Sequence, residues 1–443
     1  MNKLNPNALE ILATLRVHGF VAVLAGGCVR DMLMGKKPKD WDIATNAVPE
    51  KVESLFKHTI PVGKAFGVII VVIEGENFEV ATFRCDKHSS YSDGRRPDSV
   101  TFGDMKSDAL RRDLTINGLF WDPIARSGEC LIDFVGGKKD LDKKIIRFIG
   151  EPEQRIEEDK LRMLRAVRFA VKFEFPIENI SLLAIVANSS DIHKVSQERI
   201  AEELLKMLRL HKPRRTLEVL NAVGLLGEIL PEVSAMIGCK QPPDFHPEGD
   251  VMEHTIMVLE HLPKDASDEL LLGALLHDVG KPPTYIVVPD RIRFNCHDTV
   301  GAEMATNILT RFRFPNKVVE QVVLLVKNHM KWICVKQMRV SRLKRFLRLE
   351  RFEDHKALHK ADCLSSHGKM DNLEFVNGLN FPPEEIKPEP LVNGKDLISL
   401  GITPGPVFRE ILTMVGNRQL EGVIRGRGTA LLFVKEFIKI SKG

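Results

Sequence analysis

No part of this chain restricts its fold as tightly as the stretch from Val23 to Asp42, VLAGGCVRDMLMGKKPKDWD. A short apolar run, Val21 to Ala25, feeds Gly26 and Gly27; a helix-length segment opening with Arg30 and Asp31 follows, and Asp40-Trp41-Asp42 closes the stretch. Side chains alternate faces along a strand, so Asp40 and Asp42 are expected to point the same way. Two carboxylates on one face repel each other unless a cation lies between them, and hard oxygen ligands beside a phosphate-bearing substrate favour Mg2+. A Gly-Gly turn lets backbone N–H groups approach an anion at a helix start, which places Gly27 at a phosphate. Alone, an Asp-x-Asp pair is more often a solvated loop or cap, and Gly-Gly a plain turn. In this order and spacing they describe metal-assisted chemistry on a nucleoside triphosphate.

The flanking segments supply further candidates. Residues 5–18 read as an amphipathic helix, 49–56 as a second helix, and 62–75 as a glycine-bracketed turn feeding a buried strand. FEVATFRCD then sets Glu79 on an adjacent apolar strand. A charge there is costly unless paired or facing a site, so Glu79 is either a third carboxylate or a solvent-facing position. Residues 86–104 lack periodicity and are rich in Ser, Asp, Gly, Arg and Pro, the composition of a mobile loop. A helix is expected over 108–122, with Arg111, Arg112 and Asp113 near its start, followed by strand, glycine turn and strand over 131–150. Such arginines suit triphosphate oxygens, although a solvated helix face has the same composition. In EEDKLRMLRAVRFAVKF (157–173), Asp159, Arg162, Arg165 and Arg168 recur near helical spacing and form one charged stripe. Read alone, that stripe is a salt-bridged exposed face with Asp159 paired to Arg162.

The Val23–Asp42 string, RRDLTIN (111–117) and the E-D-x-x-R-x-x-R-x-x-R-F pattern beginning at Glu158 resemble the signatures of class II nucleotidyltransferases, the branch containing bacterial tRNA CCA-adding enzymes and poly(A) polymerases. The resemblance implies an α+β head with a mixed sheet and helices, followed by all-α neck, body, HD and tail domains. It implies catalysis by Asp40, Asp42 and Glu79, with triphosphate held by Gly27, Arg30 and Arg111, and with Asp159, Arg162, Arg165 and Arg168 binding the nucleotide. The expected reaction is transfer of CMP and AMP from CTP and ATP to the tRNA 3′ end, releasing pyrophosphate. Cytosine and adenine both present an amine donor beside a ring-nitrogen acceptor. A carboxylate at Asp159 and a guanidinium at Arg162 match that edge and oppose uracil and guanine. In this family CC-adding enzymes lack a loop like 86–104, so its presence, with Arg95, Arg96 and Asp98, favours A addition; an A-adding-only enzyme is the alternative.

Nine of the 14 histidines fall between residues 246 and 367. A lone histidine on a helix is usually a core or surface residue. Here His254, His277, Asp278, His297, His329 and Asp362 lie among helical segments, and imidazoles with carboxylates can hold one or two divalent ions. LLHDVGKP resembles the HD phosphohydrolase signature, which implies a transition-metal ion and a second activity on phosphoesters, such as the 2′,3′-cyclic phosphates of damaged RNA ends. A phosphohydrolase with a regulatory nucleotide-binding head is therefore the reading from another class. The basic run 339–351 reads as a solvated helix face, 380–390 as a proline-rich linker, and the remainder as short helices.

With 443 residues the chain exceeds what one hydrophobic core serves. The expected division is a catalytic head (1–150), a templating and RNA-binding neck and body (151–245), the HD region (246–370) and a tRNA-binding tail (371–443). A net charge of +4 neither demands nor excludes nucleic acid, so any basic surface must come from local clustering. Seven scattered cysteines without a C-x-x-C pair argue against a disulfide frame or zinc ribbon and fit a reducing cytoplasm. The start MNKLNPNALEILATL lacks the design of a signal peptide, and no apolar run approaches membrane-spanning length. Expected partners are thus the tRNA 3′ end, CTP and ATP, with no membrane and no obligate protein.

Overall fold

The computed structural model describes residues 4–85, 101–125, 130–242, 247, 249–289 and 291–441. The chain divides into two compact units: Met1–Ser234 with Arg311–Arg313, and Ala235–Thr310 with Phe314–Gly443. The first is built on strands β1 (Ala22–Ala25), β2 (Ile43–Thr45), β3 (Thr59–Gly63), β4 (Val68–Ile73), β5 (Glu76–Thr82), β6 (Arg84–Cys85), β7 (Thr101–Phe102), β8 (Leu119–Trp121) and β9 (Leu131–Asp133). Seven of them form a mixed sheet in the order β3-β4-β5-β2-β1-β8-β9, while β6 and β7 pair separately. β2 and β5 run parallel, with Ile43 opposite Val80, and the other pairings are antiparallel.

Period-two alternation sorts the two faces of this sheet. Leu24, Ile43, Phe78 and Val80 join the helices Pro6–Val17 and Pro49–Leu55 in one buried cluster with Ile11, Leu12, Leu15 and Val52. Val23, Ala25 and Ala44 turn to the opposite face, against Phe83, Ala109 and Phe120. Asp42 and Glu79 each precede a residue of the Ile43–Val80 pair by one position. Both therefore leave the helix-covered face and share the other.

Four local expectations are corrected. Asp40 and Asp42 are not on a strand: Asp40 lies exposed in a bend, and β2 begins only after Asp42. The helix expected over 108–122 is Met105–Leu110, opened by the Asp104 carboxylate accepting from Ser107 N–H at 2.7 Å, so Arg111 closes it. Beyond it Asp113 accepts from the Leu114 N–H and the Asn117 amide, competing with helix continuation. The second strand of 131–150 is largely the helix Gly137–Lys143, started where Asp133 accepts from the N–H groups of Val135, Gly137 and Lys138. The helix of 157–173 is two helices, Pro152–Glu158 and Leu161–Phe173. They are separated at Asp159, which is extended (φ −153°) and accepts from Leu161 N–H.

Among the described residues the second unit is helical apart from a hairpin pairing Tyr285–Val287 with Ile292–Phe294. The basic run forms the helix Val340–Leu347, and it is not simply solvated. Lys344 is buried against Glu385 and Arg345 donates to Asn417, which ties this helix to the tail. The tail helices Gly394–Ser399, Pro406–Leu420 and Arg427–Ser441 enclose a core of their own around Leu397, Ile411 and Val434. Within the proline-rich segment Pro383–Ile386 makes one helical turn. Most of the 86–104 segment, with Arg95, Arg96 and Asp98, lies outside the described residues.

Candidate active site and a buried histidine cluster

The polar face of the head sheet opens into a cavity of about 540 Å³ lined by Gly26, Gly27, Arg30, Asp42, Glu79 and Arg111, and further in by Asp159, Arg162, Arg165 and Arg168. Ten residues from five sequence segments thus meet in one space. Burial and the facing Glu79 push the Asp42 carboxyl up to about 6, and Asp40 adds to this, against the pull of Arg112 and Arg30. A carboxylate displaced upward by its acidic neighbours is what a cation-binding donor set looks like before the cation arrives. Asp42 and Glu79 fit a hard divalent ion. Asp40 stands at the edge, exposed and close enough to act on Asp42 through its charge.

Gly26 is in the left-handed region (φ +68°), and a Cβ there would lie 2.6 Å from Arg112 Nη1. A side chain is excluded on both counts. Gly27 opens the helix Gly27–Leu33; a Cβ on it would sit 3.6 Å from Arg30 Nη2 and 3.9 Å from Asp42 Oδ2, inside the cavity.

Nearly every arginine here is already gripped. Asp108, buried, takes Arg111 at 2.8 Å and Arg112 at 3.0 Å. Arg30 pairs with Asp31 at 2.8 Å, donates to Asn117 Oδ1 and lies over the Phe173 ring at 4.8 Å. Asn117 in turn donates to Asp113, whose other oxygen accepts from Arg165 at 2.7 Å. Burial acts to raise Asp113, but the Arg165 charge together with the hydrogen bonds from Asn117, Arg165 and Leu114 N–H outweighs it and holds the carboxyl well below the usual range. Arg168 bonds Glu203 at 2.6 Å and covers Phe169 at 4.3 Å. The expected Asp159–Arg162 pair is replaced. Asp159 receives both Nη1 and Nη2 of Arg199, at 3.2 and 2.8 Å, while Arg162 bonds Glu158 at 2.6 Å and the carbonyls of Arg155 and Arg111. Such pairing fixes where the charges stand, with Asp159 and Arg162 both lining the cavity.

Sequence reasoning missed Asn117, Asp113, Arg199, Phe169 and Lys172 as parts of this site. Asn117 and Asp113 lie inside RRDLTIN and were open to notice. Arg199 sits 40 residues from Asp159 on the helix Gln197–Leu208 and carries no local signal.

In the second unit the six candidate ligands converge. His254, His277 and Asp362 form one group and Asp278, His297 and His329 another, with ligand atoms inside each group all within 4.8 Å of one another. His254 and Asp362 come from the helices Val251–Glu260 and Phe352–Ser365, and His277 caps the helix Asp268–Leu276 with Asp278 next to it. His297 begins one helix and His329 ends another. All but Asp362 are buried. His277 Nε2 is buried without a hydrogen bond, an acceptor left for a metal.

Comparison with known proteins agrees with this division of labour. Residues 22–147 match the family model "Poly A polymerase head domain", 174–237 "Probable RNA and SrmB- binding site of polymerase A", and 250–362 "HD domain". Over 230 residues the chain is 42% identical to the CCA-adding enzyme of Bacillus pumilus (strain SAFR-032), an alignment that spans 52% of this chain and 56% of that one. The CCA-adding enzyme of Ligilactobacillus salivarius (strain UCC118) is 32% identical over 424 residues, covering 94% of this chain and 92% of its own. The solved CCA-adding enzyme of Bacillus stearothermophilus, in complex with CTP, is matched over 99% of both chains with a TM-score of 0.72 and 27% identity. The mixed-sheet head matches that of poly(A) polymerases, and the relatives place the chain among nucleotidyltransferases. The chain belongs to the family of CCA-adding enzymes, which are tRNA nucleotidyltransferases. Both the head and the HD domain imply dependence on divalent metal ions. Among the described residues no helix is long and apolar enough to cross a membrane.

Proposed function

We propose that this chain adds CMP and AMP from CTP and ATP to the 3′ end of tRNA without a nucleic-acid template, releasing pyrophosphate. The observation that carries this is the single cavity in which Asp42 and Glu79 face Gly27, Arg30, Arg111, Asp159 and Arg162. Magnesium held by Asp42 and Glu79, with Asp40 beside them, would neutralise the triphosphate and activate the primer hydroxyl. Arg30 and Arg111 direct their charge at the phosphates, and the Gly27 backbone permits close approach. Asp159 accepts from the amine of cytosine or adenine and Arg162 donates to the ring nitrogen; Arg165 and Arg168 build the wall behind them. Reactive groups held in fixed orientation lower the entropic part of the barrier. On this reading residues 1–150 catalyse, 151–245 select the base and bind RNA, 246–370 form the HD domain and 371–443 bind tRNA. A cytoplasmic setting fits a tRNA substrate.

The test is to incubate the protein with labelled CTP or labelled ATP, each alone, and tRNA lacking its terminal residues or ending in CC. Incorporation of both labels, each on its own acceptor, is expected. Label from ATP entering only the CC-ended tRNA, with CTP never used, identifies an A-adding enzyme. No label in either RNA defeats the transferase reading.

The histidine cluster supports a second activity in the same chain, hydrolysis of phosphoesters by the HD domain in the presence of a transition metal. Water supplies the oxygen that joins phosphorus, and the ester oxygen leaves with a proton. His277→Ala is expected to remove metal-dependent phosphoester hydrolysis and to leave nucleotide addition intact.

A further inference from the structure

Beyond the arginines already described, the cavity of the first unit runs into a group of cations gathered on an aromatic ring. Phe169 and Phe173 stack on the helix Leu161–Phe173 with their centroids 5.9 Å apart. Around the Phe173 ring stand Arg30 Cζ at 4.8 Å, Lys172 Nζ at 5.2 Å and Lys36 Nζ at 5.5 Å. An aromatic face attracts cations through its quadrupole, yet it neutralises none of their charge. Arg30 is paired with Asp31 at 2.8 Å, whereas among the described residues neither lysine side chain has a carboxylate within ion-pairing distance. The group therefore keeps a surplus of positive charge. Partial burial holds the Lys172 ammonium below its usual range, and Arg30, Arg168 and Lys36 add to this against the pull of Asp31. Cations crowded in this way lack a counter-charge, which a polyanion supplies.

Position decides which polyanion. Arg162, Arg165, Arg168 and Lys172 follow one another at intervals of three or four residues on one helix face, and all four line the cavity. At a rise of about 1.5 Å per residue, Lys172 stands about 15 Å along the axis from Arg162, at the end of the cavity away from the base-selecting pair. Lys36 is exposed and lies just past the helix Gly27–Leu33 that carries Arg30, so the cations lead from Arg30 to water. When a nucleotide is transferred, the bond between the α-phosphorus and its bridging oxygen breaks, and that oxygen leaves with the electron pair as part of pyrophosphate. We propose, on the reading of this chain as a nucleotidyltransferase, that Lys36 and Lys172 together with Arg30 form an exit site that draws the released pyrophosphate out of the cavity. An ammonium on a flexible stem can follow a departing anion, where a guanidinium already clamped by a carboxylate stays in place.

The experiment titrates the full-length chain calorimetrically with inorganic pyrophosphate and Mg2+ in the absence of RNA, and measures inhibition of CMP addition by pyrophosphate beside it. Lys36→Met and Lys172→Met keep the apolar stem and remove the charge. Each should weaken pyrophosphate binding and raise its inhibition constant roughly tenfold, because a charge-assisted hydrogen bond is lost. The KM for CTP should rise by less, and Lys172→Arg should restore both values. Lys36 is exposed, so its Met variant tests the site even where Lys172→Met disturbs folding. Unchanged pyrophosphate binding in both Met variants overturns the exit site. So does a KM for CTP that rises as much as the inhibition constant, which makes the lysines part of the substrate site. A raised KM for tRNA with pyrophosphate binding unaffected also overturns it and assigns the lysines to an RNA phosphate. A parent chain that binds pyrophosphate but adds no nucleotide removes the transferase reading and the exit role together, whereas a parent that adds nucleotide while its variants bind pyrophosphate as it does removes the exit role alone.

Discussion

Asp42 and Asp113 line the same cavity and are both pushed up by burial, yet their neighbours shift them in opposite directions. Asp42 faces Glu79 and ionises only near 6, so the folded state holds its proton more tightly than the unfolded chain, whose aspartates titrate near 3.9. Stability from this group is therefore greatest at low pH, falls as pH rises from about 4 to about 6, and stays lower above. Asp42→Asn is expected to stabilise the metal-free protein at pH 7 by roughly 1–3 kcal/mol, a gain that vanishes below pH 4. The same variant should lower nucleotide addition by roughly a thousandfold or more, because the transition-state charge loses its cation ligand. Urea unfolding at the two pH values, with a tRNA extension assay beside it, checks both halves. Protons also compete with the metal here, so divalent-ion affinity measured by titration calorimetry should weaken on going from pH 7.5 to pH 5. Asp113 carries the other sign. Arg165 holds its carboxyl far below the usual range, so its contribution is present above about pH 4 and is lost as pH falls toward its folded value. Asp113→Asn should cost about 2 kcal/mol at pH 7, at the low end for a buried pair because Arg165 keeps 34% of its side chain exposed. Equal unfolding midpoints for Asp113→Asn and the parent would show that the pair adds nothing.

Two helices meet at Asp159, and they form the element proposed to choose the base. Helical spacing of the four charged residues was visible in the sequence, but the break at Asp159 was not. Its extended backbone depends on a side chain capping Leu161 N–H and on Arg199 arriving from another helix. Because Arg199 anchors both Asp159 oxygens, the carboxylate has one orientation toward the cavity. Asp159→Ala is expected to lower the preference for CTP over UTP at least tenfold, read as the ratio of kcat/KM values. An unchanged ratio would assign Asp159 a purely structural part in the helix break. Arg199→Lys keeps a charge but loses the two-point grip, so it should raise KM for CTP and ATP together. The segment Met105–Leu110 teaches the same lesson. RRDLTIN was recognisable as a string, yet its residues lie beyond a helix end, where Asp113 and Asn117 turn back on the backbone and link Arg30 to Arg165.

Two compact units imply two unfolding events, and the six candidate ligands for a transition metal all belong to the second. Calorimetry of the full chain should resolve two transitions. Saturating Zn2+, which imidazoles favour over the carboxylates of the head, at about a hundred times its dissociation constant adds about 2.7 kcal/mol to one of them, a rise of roughly 5–10 °C, and leaves the other unmoved. A uniform shift of both would contradict a histidine-rich transition-metal site confined to one unit. At this scale the sequence by itself determined a good deal: the mixed-sheet head, the helical remainder, the family, and the six candidate ligands that converge in the HD domain. These are written as local patterns, a Gly-Gly turn between strand and helix, a histidine beside an aspartate, a period of two or of three to four. Only the tertiary structure decided which charges face each other. Strand register moved Asp42 next to Glu79 and left Asp40 at the rim, Arg199 displaced Arg162 as the partner of Asp159, and the two oxygens of Asp278 turned to different histidine pairs. The physical reason is that Coulomb and hydrogen-bond energies depend on distances of a few ångströms between residues tens of positions apart, and a one-dimensional pattern carries no such distances.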